Sequence, residues 1–125
     1  MPLSPFAALR PWRSTFGWAA VILVATSLPG MAARVPILAG VETLAHVVLY
    51  ALLGWTAETT RRREAAIGMV WLVVALAAFA TLDEWHQRYV PLRSTDLSDW
   101  LAHMLGIGFG LRFHVWARLR RELTA

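Results

Sequence analysis

The stretch that decides the fold is residues 65–82, which read AAIGMVWLVVALAAFATL and contain no charged side chain. A helix of about 17–25 apolar residues is long enough to cross the hydrocarbon core of a bilayer. Three further apolar stretches lie at about 16–33, 41–57 and 100–116. The last is the most polar, because it contains His103, Arg112 and His114. The pattern predicts one unit over residues 1–125, an all-α membrane protein with a bundle of four transmembrane helices.

The composition of the chain also favours a lipid environment. Of its 125 residues, 58% are hydrophobic and 16% are charged, whereas soluble domains usually have about 25% charged residues. The net charge is +4, and all 12 basic residues are arginines that lie in short groups between apolar runs. That placement is typical of membrane topology signals, so we expect no nucleic acid partner. The absence of cysteine excludes disulfides, cysteine zinc sites and a thiol nucleophile.

The distribution of arginines predicts the orientation of the helices. With the amino terminus in the cytoplasm, eight arginines fall in inner segments and three in outer loops. The inner set is Arg10, Arg13, Arg61, Arg62, Arg63, Arg118, Arg120 and Arg121, and the outer set is Arg34, Arg88 and Arg93. Because cytoplasmic loops are enriched in basic residues, both termini are expected inside. An alternative for the first stretch is a cleavable signal peptide, since Arg10 and Arg13 precede its apolar run and Pro29-Gly30-Met31-Ala32-Ala33 resembles a small-residue cleavage site.

Local signals at the helix ends give further expectations. The arginine run at 61–63 is predicted to be a tight, solvated turn between the second and third helices. Ser98 or Asp96 is expected to cap the fourth helix. Gly106 and Gly110 form a small-xxx-small step, which predicts a close approach by another helix.

Most of the remaining ionisable residues are predicted to lie at the outer end of this bundle. Glu42 and His46 begin the second helix and Asp99 and His103 begin the fourth, and the i, i+4 spacing puts each pair on one helix face. Tyr50 lies one turn further along the His46 face. The third helix and the loop after it add Asp83, Glu84, Gln87 and Arg93.

Two interpretations of this polar cluster remain open. As ordinary helix-end residues, its members would cap helices and pair with one another, Arg93 for example with Asp96 or Asp99. As a functional pocket they would bind a ligand, because ionisable residues inside a membrane are costly and default to functional candidates. Arg93 would then offer its guanidinium to a phosphate or carboxylate. A divalent metal is a further option, and its candidate ligands are His46, His103, Asp83 and Asp99.

One combination of residues resembles the signature of the VanZ-like family of small integral membrane proteins. It consists of Asp83-Glu84-x-x-Gln87, then Arg93, then Asp99-x-x-x-His103-x-x-Gly106-x-x-x-Gly110. Ser27-x-Pro29 and His46-x-x-x-Tyr50-x-x-Leu53 also fit the family pattern. The chain departs from that pattern at His103, where the family commonly has Asn, and at Glu42-Thr43, where it often has Asp-Lys.

The resemblance implies a multi-pass protein of the bacterial cytoplasmic (inner) membrane that is associated with the cell envelope. The family's namesake is associated with low-level resistance to the glycopeptide teicoplanin, so a link to such resistance is an expectation here. The leading hypothesis is an outward-facing polar site for a lipid-linked cell-wall precursor or another cell-wall ligand. The alternative is a membrane-embedded, metal-assisted hydrolase or transferase with Glu84 as the base. A transporter or proton relay ranks lowest, because ionisable residues do not continue through the bundle.

Overall fold

The computed structural model describes residues 6–30, 35, 37–64 and 67–125. Within these ranges the chain forms a short 3-10 helix, Arg10–Trp12, followed by four α-helices and no strand. The α-helices are α1 (Arg13–Ser27), α2 (Leu38–Glu64), α3 (Met69–Gln87) and α4 (Leu97–Thr124). The all-α class predicted from the sequence is therefore confirmed.

Two of these helices are long and apolar enough to cross a membrane. Among the described helices, α2 and α3 meet this criterion of length and hydropathy, and α1 and α4 do not. The 15 residues of α1 rise about 22 Å, against a hydrocarbon core of about 30 Å. In α4, two histidines and Arg112 interrupt the apolar run. The fold thus supplies two candidate spans where the sequence predicts four.

Several helix ends differ from the limits of the apolar runs. α1 stops at Ser27 because Leu28 is extended (ψ 144°), and proline disfavours the helical conformation in the residue before it. The predicted helix does not continue through residues 28–30, while residues 31–33 with the alternative cleavage site, and the predicted start of the third helix at 65, lie outside the described residues. α3 ends only at Gln87, and α4 continues through the basic segment to Thr124.

The arginine run at 61–63 is helical, so the predicted solvated turn is wrong. The buried carboxylate of Glu58 accepts two hydrogen bonds from Arg61, at 2.7 and 2.9 Å, and one from Arg62, at 2.6 Å. These partners lie three and four residues further along the chain, which is the spacing of neighbours on a helix surface. Cations in the last turn also interact favourably with the helix dipole. Together these contacts extend α2 to Glu64.

Glycines bring α2 and α4 into backbone contact, and this pair packs more extensively than any other two of the described helices. A Cβ added at Gly106 would collide with the carbonyl oxygen of Val47, and one at Gly110 with that of Ala51. Gly54 of α2 faces the backbone of Ile107 in the same way. Small residues permit this approach, and it puts the first half of α4 directly against the first half of α2.

Four helix ends meet at one end of the bundle, which we call the polar end. α1 and α3 finish there, and α2 and α4 begin there. The loop between α3 and α4 folds back over this end. The N–H of Gly30 donates to the Pro91 carbonyl at 3.4 Å, and a Cβ at Gly30 would collide with Leu92, itself in the left-handed region (φ 62°). This contact brings Arg93 over the ends of the helices.

Candidate functional site

The carboxylate of Asp83 lies at the centre of the polar end and is 1% exposed. Its Oδ1 accepts a hydrogen bond from Thr26 of α1 at 2.7 Å. Its Oδ2 accepts from the Tyr50 hydroxyl of α2 at 2.6 Å and from the Gln87 amide at 3.1 Å. One buried side chain of α3 therefore holds partners on two other helices.

Arg93 links this carboxylate network to the end of α1. Its guanidinium donates to the side-chain oxygen of Gln87 at 3.2 Å and to the carbonyl oxygens of Leu28 and Ala25 at 3.0 and 3.3 Å. Those carbonyls belong to the last turn of α1, where backbone acceptors have no partner within the helix. In the part of the chain that the structure describes, Arg93 makes no ion pair with Asp96 or Asp99, which is the pairing expected of an ordinary helix-end residue.

Arg93 also begins a chain of contacts through two histidines. Its Nη1 lies 3.2 Å from His46 Nε2, and His46 Nδ1 lies 3.2 Å from His103 Nε2. An arginine side chain has donors only, so His46 must accept at Nε2 and carry its proton on Nδ1. His46 then donates to Nε2 of His103, which leaves the proton of His103 on Nδ1. The ring of His103 stacks on Tyr50, with centroids 4.2 Å apart.

This series of contacts ends at two buried side chains, His103 and Glu84, that have polar atoms without a hydrogen-bond partner. His103 Nδ1 lies 3.9 Å from Oε2 of Glu84, beyond hydrogen-bond range. Neither Glu84 oxygen nor His103 Nδ1 has a partner among the described residues, although Glu84 is 8% exposed and His103 is fully buried. Unpaired buried polar groups are costly, so they mark a place where the protein alone does not complete its hydrogen bonding.

Two cavities flank this arrangement. The larger one, the α3–α4 cavity, has a volume of about 600 Å³. Its apolar wall is formed by Leu82, Trp85, Leu97 and Trp100, and its polar wall includes Glu84, Arg88 and Asp96. The Trp100 indole of α4 donates to the Thr81 hydroxyl of α3 at 3.1 Å, and both residues line the cavity. The second cavity, about 150 Å³, is polar and is lined by Glu42, His46, Arg93 and Asp99, among others.

The start of α4 is fixed by Asp96. Its side chain accepts from the backbone N–H of Asp99 at 3.1 Å and from the hydroxyl of Ser98. Of the two capping residues predicted from the sequence, Asp96 is thus the cap, and Ser98 supports it. The hydrogen bond from Ser98, followed by that from the Asp99 N–H, lowers the pKa of the Asp96 carboxyl.

The structure brings most of the predicted site residues together. Tyr50, Asp83, Gln87, Arg93 and His46 share one hydrogen-bonded network that extends to His103, and Glu84 lies at its end. Glu42 and Asp99 line the small polar cavity together with His46 and Arg93. Gly106 and Gly110 lie against α2.

Sequence reasoning missed three residues that build this arrangement. Thr26 donates to Asp83, Gly54 lets α4 approach α2, and Glu58 holds the end of α2. A threonine or glycine in an apolar helix carries no signal of its role without its neighbours. Glu58 did offer a signal, because its i+3 and i+4 positions are arginines.

A metal site is not assembled from the candidate ligands. Within the described ranges, no group of three or more His, Asp or Glu side chains is placed to hold one metal ion. Asp83 already accepts three hydrogen bonds, and three of the four ring nitrogens of His46 and His103 lie within 3.2 Å of a polar partner. Asp83 and the two histidines are therefore already engaged in hydrogen bonds within the protein.

Comparison of the chain with protein-family models, with curated proteins and with solved structures gives no match.

Proposed function

We propose that the chain is a multi-pass protein of the bacterial cytoplasmic membrane with four crossings and both termini inside. Large apolar side chains are exposed on all four helices, for example Val24, Val48, Trp71 and Phe109. Only 22% and 28% of the most apolar windows of α2 and α3 are buried inside the protein, whereas a soluble core helix would be mostly buried. With the preceding 3-10 helix, α1 gains a helical length of about 28 Å, close to the thickness of the hydrocarbon core.

We further propose that this protein is an envelope-associated, VanZ-like protein that binds a lipid-linked ligand at its polar end. The α3–α4 cavity carries this proposal. Its volume of about 600 Å³ suits a small-molecule site, and it combines two indoles with the charged side chains of Glu84 and Arg88. Such walls match an amphipathic molecule whose chain lies along Leu82 and Leu97 and whose polar head reaches Arg88. Cell-wall precursors carried on polyprenyl phosphates have this chemistry, and arginine pairs well with phosphate.

Binding of a radiolabelled polyprenyl phosphate to the detergent-purified protein tests this function. Arg88→Ala removes the guanidinium from the cavity wall and should weaken binding at least tenfold, because charge-assisted hydrogen bonds to phosphate are strong. The matched control is Arg118→Ala, an exposed arginine near the other end of α4, which should bind like the unmodified protein. Equal binding by the two variants, or no binding by any form, would overturn the proposal.

The expected link to glycopeptide resistance is tested with the same variants in cells. If the cavity carries that role, expression of the unmodified protein should raise the teicoplanin concentration that stops growth, and Arg88→Ala should abolish the increase. Arg118→Ala should retain it. If Arg88→Ala reaches the same membrane abundance and still raises the teicoplanin concentration that stops growth, the resistance does not depend on this cavity.

A further inference from the structure

The orphaned pair of Glu84 and His103 has a defined hydrogen-bonding polarity. Arg93 fixes the tautomer of His46, and His46 in turn fixes that of His103, so that Nδ1–H of His103 is a donor. A Glu84 carboxylate offers only acceptors. A group that completes both must accept from His103 and donate to Glu84. A hydroxyl does both, whereas an ether only accepts and an ammonium only donates.

The distances allow one oxygen atom to serve both groups. His103 Nδ1 and Glu84 Oε2 are 3.9 Å apart. Two hydrogen bonds of about 2.8 Å each can meet at a single oxygen across such a gap. Because His103 Nδ1 and both carboxylate oxygens of Glu84 are closed to solvent, the Glu84 side chain must shift toward the cavity to admit that oxygen. Glu84 forms part of the wall of the α3–α4 cavity, whereas His103 does not line it and is fully buried, in ring contact with Tyr50 and His46. The cavity is therefore the side from which such a group arrives.

We propose that Glu84 and His103 form a hydroxyl-binding subsite of the α3–α4 cavity, which selects a lipid whose head carries a free hydroxyl, as glycerol and sugar heads do. This inference rests on the proposed function, because it needs an amphipathic molecule in that cavity. It assigns Arg93 a positioning role: Arg93 does not touch the ligand hydroxyl and acts by holding the tautomers of the two histidines. The selected group is the hydroxyl itself, whichever headgroup supplies it.

The subsite is tested with two probes of the same skeleton, one with free hydroxyls and one in which methyl groups replace the hydroxyl hydrogens. The probes are 1-O-dodecylglycerol and its 2,3-di-O-methyl ether, titrated into the protein in lipid nanodiscs. The unmodified protein should bind the alcohol at least about tenfold more tightly, because the ether cannot donate and leaves the buried Glu84 carboxylate unpaired. Glu84→Leu and His103→Phe should each bring the ratio of the two affinities close to one. Phenylalanine keeps an aromatic ring against Tyr50, so the packing of that variant changes little.

A second measurement reports the positioning role of Arg93 without any ligand. Nitrogen-15 spectra of the histidine rings distinguish a proton on Nδ1 from one on Nε2, and the signals are assigned by single substitution of the four histidines. His46 and His103 should both be Nδ1–H tautomers in the unmodified protein. Arg93→Met should give a mixture of tautomers and a smaller preference for the alcohol.

The outcomes separate the subsite from the cavity function. Equal binding of alcohol and ether by the unmodified protein would refute the hydroxyl subsite, with water rather than ligand between the two groups, and would leave lipid binding intact. Failure of both probes to bind, while polyprenyl phosphate still binds, would refute the subsite alone, and failure of all three ligands would refute the cavity function with it. A preference for the alcohol that persists in Glu84→Leu or His103→Phe would also refute the subsite.

Discussion

At the scale of single residues, the polar end is organised around one carboxylate that three other side chains satisfy. Thr26, Tyr50 and Gln87 all donate to Asp83, and Arg93 reaches it through the amide of Gln87. A buried carboxylate costs several kcal/mol unless it is hydrogen-bonded, and removal of one donor leaves part of that cost uncompensated. Asp83 therefore ties together α1, α2 and α3 at a position where water does not reach it.

Tyr50→Phe should destabilise the folded protein by about 1–3 kcal/mol, because it deletes one donor to the buried Asp83 carboxylate and keeps the ring. Thermal unfolding in a single detergent measures this difference. The matched control is Tyr89→Phe at the only other tyrosine, which is 72% exposed and should change stability by less than about 0.5 kcal/mol. Equal stability of the two variants would show that the Tyr50 contact with Asp83 is not formed.

Asp96→Ala should destabilise α4 by about 0.5–2 kcal/mol, because the N–H of Asp99 loses its cap. The pKa of Asp96 is lowered in the folded state, so folding favours its charged form. That stabilisation is complete above the unfolded pKa of about 3.9 and disappears as the pH falls through the lowered folded value. Unfolding at pH 7 and at acid pH measures the effect. Asp96→Asn should still cap the helix and lose only this acid-sensitive contribution.

Local spacing predicted part of this residue-scale arrangement. The i, i+4 positions of Asp83 and Gln87 put them on one face, and the two side chains are hydrogen-bonded. The pairing of Arg93 was not predictable, because its nearest acids in sequence are Asp96 and Asp99, whereas its partners include carbonyls 65 and 68 residues away. The contact of Thr26 with Asp83 likewise depends on how α1 and α3 are rotated, which a sequence does not contain.

At the scale of helices, hydropathy located the four elements, and side-chain contacts determined their ends. The apolar run of the second helix finishes near residue 57, yet α2 continues to Glu64 because Glu58 pairs with two arginines. The third helix extends beyond the end of its apolar run at residue 82 for a similar reason, since Gln87 donates a hydrogen bond to Asp83 one turn earlier. Polar residues at helix ends thus extend a helix when they find partners three or four positions away.

Gly110→Ala should destabilise the α2–α4 pair by about 1–3 kcal/mol, because the new methyl group meets the backbone of Ala51 and Trp55. The comparison is Gly108→Ala, two residues away on the open face of α4, where an added Cβ meets nothing within 4 Å. That substitution should leave stability unchanged or raise it by up to about 1 kcal/mol, since alanine favours helix over glycine. Thermal unfolding of both variants under one condition decides the matter. Loss of stability in both would mean that helix flexibility, not close packing, explains the glycine at position 110.

At the scale of the whole molecule, the number of membrane crossings is open to direct measurement. If only α2 and α3 cross, the loop after α3 and the carboxyl terminus lie on the same side. If all four helices cross, they lie on opposite sides, with Ser94 outside and Thr124 in the cytoplasm. The chain contains no cysteine, so single cysteines can be introduced without a background signal.

Ser94→Cys should react with a membrane-impermeant maleimide in intact spheroplasts, because Ser94 is exposed in a loop that the proposed topology places outside. Thr124→Cys and Glu64→Cys, both exposed at predicted inner ends, should react only after lysis. Labelling is measured by the mass shift on a gel. Reaction of Thr124→Cys in intact spheroplasts together with Ser94→Cys would show that α4 does not cross, and would overturn the four-crossing bundle.

The tight contact between α2 and α4 has a consequence for motion. Their backbones touch through three glycines, so we expect these two helices to move as one rigid body. His46 of α2 and His103 of α4 both belong to it. Glu84 belongs to α3, which packs on the other helices through buried side chains such as Leu72 and Leu76 and through the hydrogen bonds of Asp83. Sliding of α3 would therefore change the distance from Glu84 to His103 and leave the spacing of the histidines fixed. The 3.9 Å distance from Glu84 Oε2 to His103 Nδ1 is therefore adjustable from one side, because Glu84 moves with α3 while His103 stays in place.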